Sequence, residues 1–180
     1  MVKKYTKGNN ILRDNDILKS LLNDPTRSTL EIVKELRITR QTYWRNKKKL
    51  EKDNVIWGYT AVIDEFKLNH VIYLILMKLK PMKKEFINLL ITRLKKREYL
   101  KHNVRVIDTV HTNGEYDWII RFSAPNHSTA RQYYDTLRVI YEDYLIEKPV
   151  IVDVNMVVVS EGKINPEIND LYNFVPDVDK

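Results

Sequence analysis

The chain has 180 residues and no cysteine, which excludes disulfides, thiolate metal sites and a cysteine nucleophile. Hydrophobic residues make up 43% and charged residues 31%, the balance of a globular chain rather than a disordered one. The formal net charge is +7 and uneven: residues 37–52 carry seven basic side chains and one acidic one, while residues 160–180 carry two basic and five acidic.

A dense basic patch is the footprint expected of a phosphate-binding face. The competing reading is a solvated, lysine-rich helix face. The longest apolar run, Val71–Met77, is far too short to cross a bilayer. No apolar signal segment follows the opening Met-Val-Lys-Lys-Tyr-Thr-Lys, so a cytoplasmic location and no membrane partner are expected. His70, His102, His111 and His127 leave little scope for a metal cage.

Helical patterning begins near Leu12, with Asp14 and Asp16 where a helix dipole favours acids and Ile17, Leu18, Leu21 and Leu22 at helical spacing. Asn23-Asp24-Pro25 ends this helix. Ser28 or Thr29 can cap a second helix with apolar residues Leu30, Ile32, Val33 and Leu36, and Ser28, three residues before Glu31, fits a capping box. A break at Arg37-Ile38 precedes a third helix, capped by Thr39 and running to about Lys52. Short helices with a tight turn between the last two make a helix-turn-helix.

Val55–Asp64 reads as a strand, and Glu65–Asn69 as a polar connection with the domain boundary close to Asn69. The second block reads strand Val71–Leu79, a helix with stripe Phe86, Leu89, Leu90 and Leu94, strands Val104–His111 and Tyr116–Phe122, a helix capped by Ser128, and strand Val150–Val159. That order predicts an α+β chain: a helix-turn-helix followed by a ferredoxin-like βαββαβ domain. The divisions are 1–55 for the winged or helix-turn-helix domain, 56–69 for the linking strand and connector, 70–160 for the sheet domain and 161–180 for an acidic tail. Both faces of the first and last strands are apolar, whereas a sheet with one wet face should alternate. The open face is therefore expected to bury itself in a homodimer.

The strongest constellation lies on the third helix. Thr39 as cap leaves amides for a phosphate, and Arg40 and Gln41 stand where a recognition helix meets base edges. Arginine matches guanine and glutamine matches adenine by bidentate geometry. Tyr43 is expected in the core and Trp44 at the rim, with Arg45, Lys47 and Lys48 on phosphates. The order suits double-stranded DNA better than single-stranded RNA, which is usually read on an open aromatic platform. A second constellation is His111-Thr112-Asn113-Gly114-Glu115-Tyr116-Asp117-Trp118. Gly114 suits a hairpin turn, and Asp117 stands in a strand, where acids are depleted; a ligand ammonium would explain it, as would an exposed hairpin end. A lone strand histidine such as His111 is more often structural than a ligand. No paired carboxylates, glycine-rich phosphate loop or His/Glu metal spacing occurs, so no catalytic residue, cofactor or metal is expected.

Over residues 12–160 the chain resembles the Lrp/AsnC, or feast/famine, family of transcription regulators. Asp14-Asn15-Asp16-Ile17-Leu18 resembles its opening Asp-x-x-Ile-Leu. Leu50-Glu51-Lys52-Asp53-Asn54-Val55-Ile56-Trp57-Gly58-Tyr59-Thr60-Ala61 resembles its Leu-Glu-x-x-Gly-Val-Ile-x-Gly-Tyr-x-Ala, and Gly114-Glu115-Tyr116-Asp117 its Gly-x-Tyr-Asp hairpin. The resemblance implies a homodimer that assembles into tetramers or octamers, binds operator DNA, and takes a small-molecule effector such as an amino acid near that hairpin. Carried onto this chain it nominates Gly114, Tyr116 and Asp117, with His111 and Thr112 added from position. The chain departs from the family's glycines at Arg37, Asn54 and Asn69, from its recognition-helix arginine at Asn46, and from its arginine before the second helix at Thr26. Two alternatives share the plan: a haem-biosynthesis decarboxylase, whose hairpin carries histidine and a Tyr-Asn pair, and an architectural DNA-binding protein without an effector.

Overall fold

The computed structural model describes residues 16–176; the readings that rest on Leu12 and Asp14 lie outside it. The chain divides into two units between Ala61 and Val62. Among the described residues, no helix is long and apolar enough to cross a membrane.

The first unit holds helices α1 (Asp16–Asn23), α2 (Thr29–Glu35) and α3 (Arg40–Lys52). α1 ends where expected, in a turn closed by the Thr26 amide donating to Asp24 Oδ1 at 2.9 Å. The capping box forms: Glu31 N donates to Ser28 Oγ and Ser28 N to Glu31 Oε2. Those bonds hold the Glu31 carboxyl below its ordinary pKa. Ile17, Leu21, Ile32 and Tyr43 form the buried core, with Val33, Leu36, Ile38 and Ile56 packed against it. Leu22 and Leu30, expected on the apolar faces, are exposed instead. Three short helices enclose too little volume to cover every leucine.

The predicted strand at Val55–Asp64 does not form; residues 56–63 carry no ladder, and Trp57 is 94% exposed. Strand-forming residues need a partner to satisfy their backbone groups. Among the described residues no strand is hydrogen-bonded to this segment, and no wing hairpin follows α3.

The second unit is the expected βαββαβ: β1 (Val71–Met77), α4 (Lys84–Lys95), β2 (Arg105–His111), β3 (Trp118–Ala124), α5 (His127–Tyr141) and β4 (Val150–Val154). The antiparallel sheet runs β2-β3-β1-β4. On the helix-covered face Tyr73, Ile75, Met77, Ile120 and Phe122 join Phe86, Leu90, Tyr133, Leu137 and Tyr141 in one core. Asn126, not Ser128, caps α5, its side chain accepting from the Thr129 amide at 2.9 Å. The helix starts two residues earlier than Ser128 as cap would allow.

The last strand is shorter than predicted, ending at Val154. Residues 155–158 turn away, and Val159–Ser160 (β5) pairs with Lys163–Ile164 (β6). The run therefore does not present two continuous apolar faces. Within the acidic tail a 3₁₀ helix occupies Ile168–Phe174. On the open sheet face Val150 and Val152 are about two-fifths exposed, whereas Ile72 is buried. The buried end is where Glu65 sits, accepting from Ser123 Oγ at 2.9 Å and from the Arg105 guanidinium, with His70 Nδ1 at 3.6 Å. By these contacts Glu65 belongs to the second unit, which is why the division falls before the expected boundary at Asn69.

Candidate nucleic-acid interface

Each end of α3 is closed by its own sequence. Thr39 accepts from the Thr42 amide at 3.1 Å, the predicted cap. At the turn into α3, Arg37 adopts φ 53°; Ile38 N donates to Val33 O at 3.0 Å and Arg37 N to Lys34 O at 3.4 Å. This pair of bonds is a Schellman closure of α2. The far end of α3 repeats it: Asn54 has φ 55°, Val55 N donates to Leu50 O at 2.9 Å and Asn54 N to Glu51 O at 3.1 Å.

Between these closures α3 separates two faces. Tyr43 and Leu50 are buried, while Arg40, Gln41, Trp44, Arg45 and Lys48 are exposed. At 3.6 residues per turn those five positions fall within an arc of about 140°. Tyr43 on the core and Trp44 outside is the arrangement the sequence predicts, and their rings meet edge to face at 5.3 Å. Among the described residues, Arg40, Arg45, Lys48 and Lys49 have no acidic side chain within 4 Å, so their charges face outward uncompensated.

Lys47 differs. Its ammonium lies over the rings of Trp44, at 5.2 Å, and Tyr59, at 4.8 Å. Tyr59 in turn donates to Glu51 Oε1 at 3.0 Å, and partial burial together with that carboxylate pushes its pKa up to about 12. Lys47 thus pins the segment after α3 back onto the helix. The sequence pattern assigns Lys47 to phosphate alone and gives no sign of Tyr59, whose distance along the chain hides the contact.

The hairpin residues also come together. Thr112 N donates to Asp117 O at 2.9 Å and the Thr112 hydroxyl to Tyr116 O. Asp117 N donates to Met77 O at 2.9 Å, and Asp117 Oδ2 accepts from Leu79 N at 2.7 Å. One carboxylate oxygen therefore finishes β1, a structural use that the sequence does not reveal. Lys78 Nζ lies 5.4 Å from the Tyr116 ring centre and contacts Glu115 and Glu147. The His111 and Trp118 rings are 6.0 Å apart. Gly114 has a positive φ of 158° and open space at its Cβ position. Among the described residues no group of three or more acids and histidines could hold a metal ion.

Residues 12–56 match a family model described as winged helix-turn-helix DNA-binding. No curated protein matches the chain significantly. Among solved structures, the protein PH0061 is similar at 20% identity over 84% of this chain and 95% of its own, with a TM-score of 0.66. An AsnC family transcriptional regulator from Agrobacterium tumefaciens is similar at 18% identity over 84% and 94%, TM-score 0.60. A transcriptional regulator from Neisseria meningitidis, solved as an L-Met complex, is similar at 14% identity over 80% and 88%, TM-score 0.60. The chain has the two-domain Lrp/AsnC fold.

Within that fold the departures at Arg37, Asn54 and Asn69 share one property: all three have positive φ, between 53° and 58°. They stand where the family pattern has glycine, and the backbone keeps the glycine conformation without the glycine. Asparagine tolerates this region; arginine carries about 1–2 kcal/mol of strain there. Arg37→Gly is expected to stabilise the first unit by about 0.5–1 kcal/mol, the strain relieved less the extra unfolded-state entropy of glycine. A urea midpoint for the variant at or below wild type would contradict this.

Proposed function

We propose that this chain is a sequence-specific DNA-binding transcription regulator of the Lrp/AsnC type. The observation that carries the reading is the outward arc of α3, with unpaired Arg40, Arg45 and Lys48 beside Gln41 and Trp44. Arg40, Gln41 and Trp44 enter the major groove, Arg45, Lys47 and Lys48 hold phosphates, and the Thr39 end presents amides to the backbone. The second unit pairs with another copy through the open sheet face, on which Val150 and Val152 remain exposed. A small effector of amino-acid type binds near His111, Thr112, Gly114, Tyr116 and Asp117. The similar Neisseria regulator, solved with L-Met, supports that chemical class. Tyr116-Asp117 in place of a Tyr-Asn pair favours this reading over the decarboxylase.

Genomic fragments captured by the purified chain, with and without an amino-acid mixture, test the proposal. Enrichment of discrete sites that shifts with the mixture is the expected result; no enriched site would refute it. Sedimentation at micromolar concentration should give a dimer or larger, and a monomer would exclude the sheet-face contact. Asp117→Asn keeps an oxygen for Leu79 N but removes the charge that would hold an ammonium. It is expected to abolish the effector response and leave the circular dichroism spectrum unchanged; a wild-type response would exclude Asp117 as the ammonium partner.

A further inference from the structure

The second unit contains a cleft of about 300 Å³ that shares no lining residue with the hairpin. That volume is at the low end for sites that hold small molecules. One wall is residues 62–67, the start of the unit. Glu65 fastens it to the sheet through Ser123 Oγ at 2.9 Å, and Phe66 N donates to Asp64 Oδ1 at 2.9 Å, which fixes the Asp64 carboxylate. The other wall is residues 157–166, where the chain returns after β4. Asn165 stiffens it: its amide donates to Val158 O at 2.9 Å and its Nδ2 to Val157 O at 2.8 Å, while its Oδ1 accepts from Glu167 N at 2.8 Å. Lys67 Nζ, 2.6 Å from Glu167 Oε1, joins the two sides. The cleft is thus built by its own bonds, and a preformed site costs a ligand less ordering.

Its lining combines apolar surface with one uncompensated charge. Val62, Ile63 and Ile164 are 44%, 45% and 65% exposed, so apolar area on both walls is left in water. Glu65 also lines the cleft, but both its oxygens are engaged, one by Ser123 and one by Arg105. Asp64 differs. It is half-buried, one oxygen receives the Phe66 amide, and the other has no donor among the described residues. No cation lies within 4 Å of it among those residues, because Lys67, the nearest in sequence, is held by Glu167. The Ser160 hydroxyl lines the same cleft, again with no hydrogen-bond partner among the described residues.

We propose that this cleft binds a small aliphatic ligand carrying an ammonium group. The ammonium donates to the open oxygen of Asp64 and to Ser160 Oγ, and the hydrocarbon lies between Ile63 and Ile164. A charge-assisted bond to a partly desolvated carboxylate supplies the specificity, and covering the apolar walls supplies the rest of the affinity. The rival class is an anionic ligand held by Lys163, which also lines the cleft. Asp64 disfavours it, since a second carboxylate beside one that has no counter-ion raises the electrostatic cost of binding. The site is separate from the hairpin and from α3, so the assignment does not depend on the regulator reading.

The test titrates the full chain, labelled with nitrogen-15, with n-hexylamine and in parallel with hexanoate, following amide shifts. Saturable shifts centred on residues 62–67 and 157–166 are expected with the amine and not with the carboxylate. Asp64→Asn keeps an oxygen for Phe66 N and removes the charge, and should weaken amine binding about ten- to a hundredfold. Ile164→Ala, on the opposite wall, should weaken hexylamine about threefold and leave methylamine, which cannot reach that wall, unchanged. No saturation by about 10 mM amine, or shifts centred elsewhere, would overturn the proposal. Equal or tighter binding of hexanoate would assign the cleft to an anion and overturn it too, as would wild-type amine affinity in Asp64→Asn. No DNA enters these measurements, so their failure is distinct from failure of the regulator reading.

Discussion

Replacing Arg45 and Lys48 together with alanine is expected to weaken binding to every DNA sequence alike. Each lost phosphate contact should lower the slope of log K against log salt by about 0.9, so the pair should reduce it by nearly two. At low salt that corresponds to a loss of about 10–100-fold, shrinking as salt rises. Both side chains are exposed on the outer arc of α3 and neither packs in the core, so the fold should survive the change. Arg40→Ala should behave differently, relaxing the preference at one base position by about 1–3 kcal/mol. Anisotropy titrations across a salt series separate the two cases. An unchanged slope in the Arg45/Lys48 variant would remove α3 from the interface.

The second large effect is predicted at Glu65→Ala. The side chain is 2% exposed and serves Ser123 Oγ and the Arg105 guanidinium at once. Its loss strands a buried hydroxyl, while Arg105, half exposed, can turn to water. The second unit should therefore lose about 2–3 kcal/mol, below the cost of leaving a fully buried charge unpaired. Hydrogen exchange at Ile72 and Ser123 reads this directly, as protection falling by about two orders of magnitude. Wild-type protection at both amides would mean that the carboxylate contributes nothing.

Elements set by local chemistry are legible in the residues themselves. Ser28 with Glu31, Thr39 with Thr42, and the turn at Asn23-Asp24-Pro25 act within a few residues, and each appears where its pattern places it. The order of strands and helices in the second unit follows from alternating periodicities. Tyr43 against Trp44 is decided by helical phase. The features that elude such patterns need a partner distant in sequence. Val55–Asp64 has the residues of a strand and no strand hydrogen-bonded to it among the described residues. Val150–Val159 stops at Val154, where its ladder with β1 ends at Ile72. Glu65, in a stretch that looks like a polar connector, is buried because Ser123 and Arg105 arrive from strands far along the chain. Asp117 is unusual for its setting, but its bond to Leu79 N is visible only in the fold.

The two Schellman closures, at Arg37 and Asn54, have a consequence for how such a reader could change. They fix where α2 stops and where the chain leaves α3, and the bonds involved are all between backbone groups. The phase of α3 about its own axis is therefore set by main chain and by Tyr43 and Leu50, not by the residues that face outward. Arg40, Gln41, Trp44, Arg45 and Lys48 can be exchanged as a cassette, each position keeping its direction of approach. A change of preferred base then becomes a problem of side-chain substitution alone, with the scaffold carried over intact.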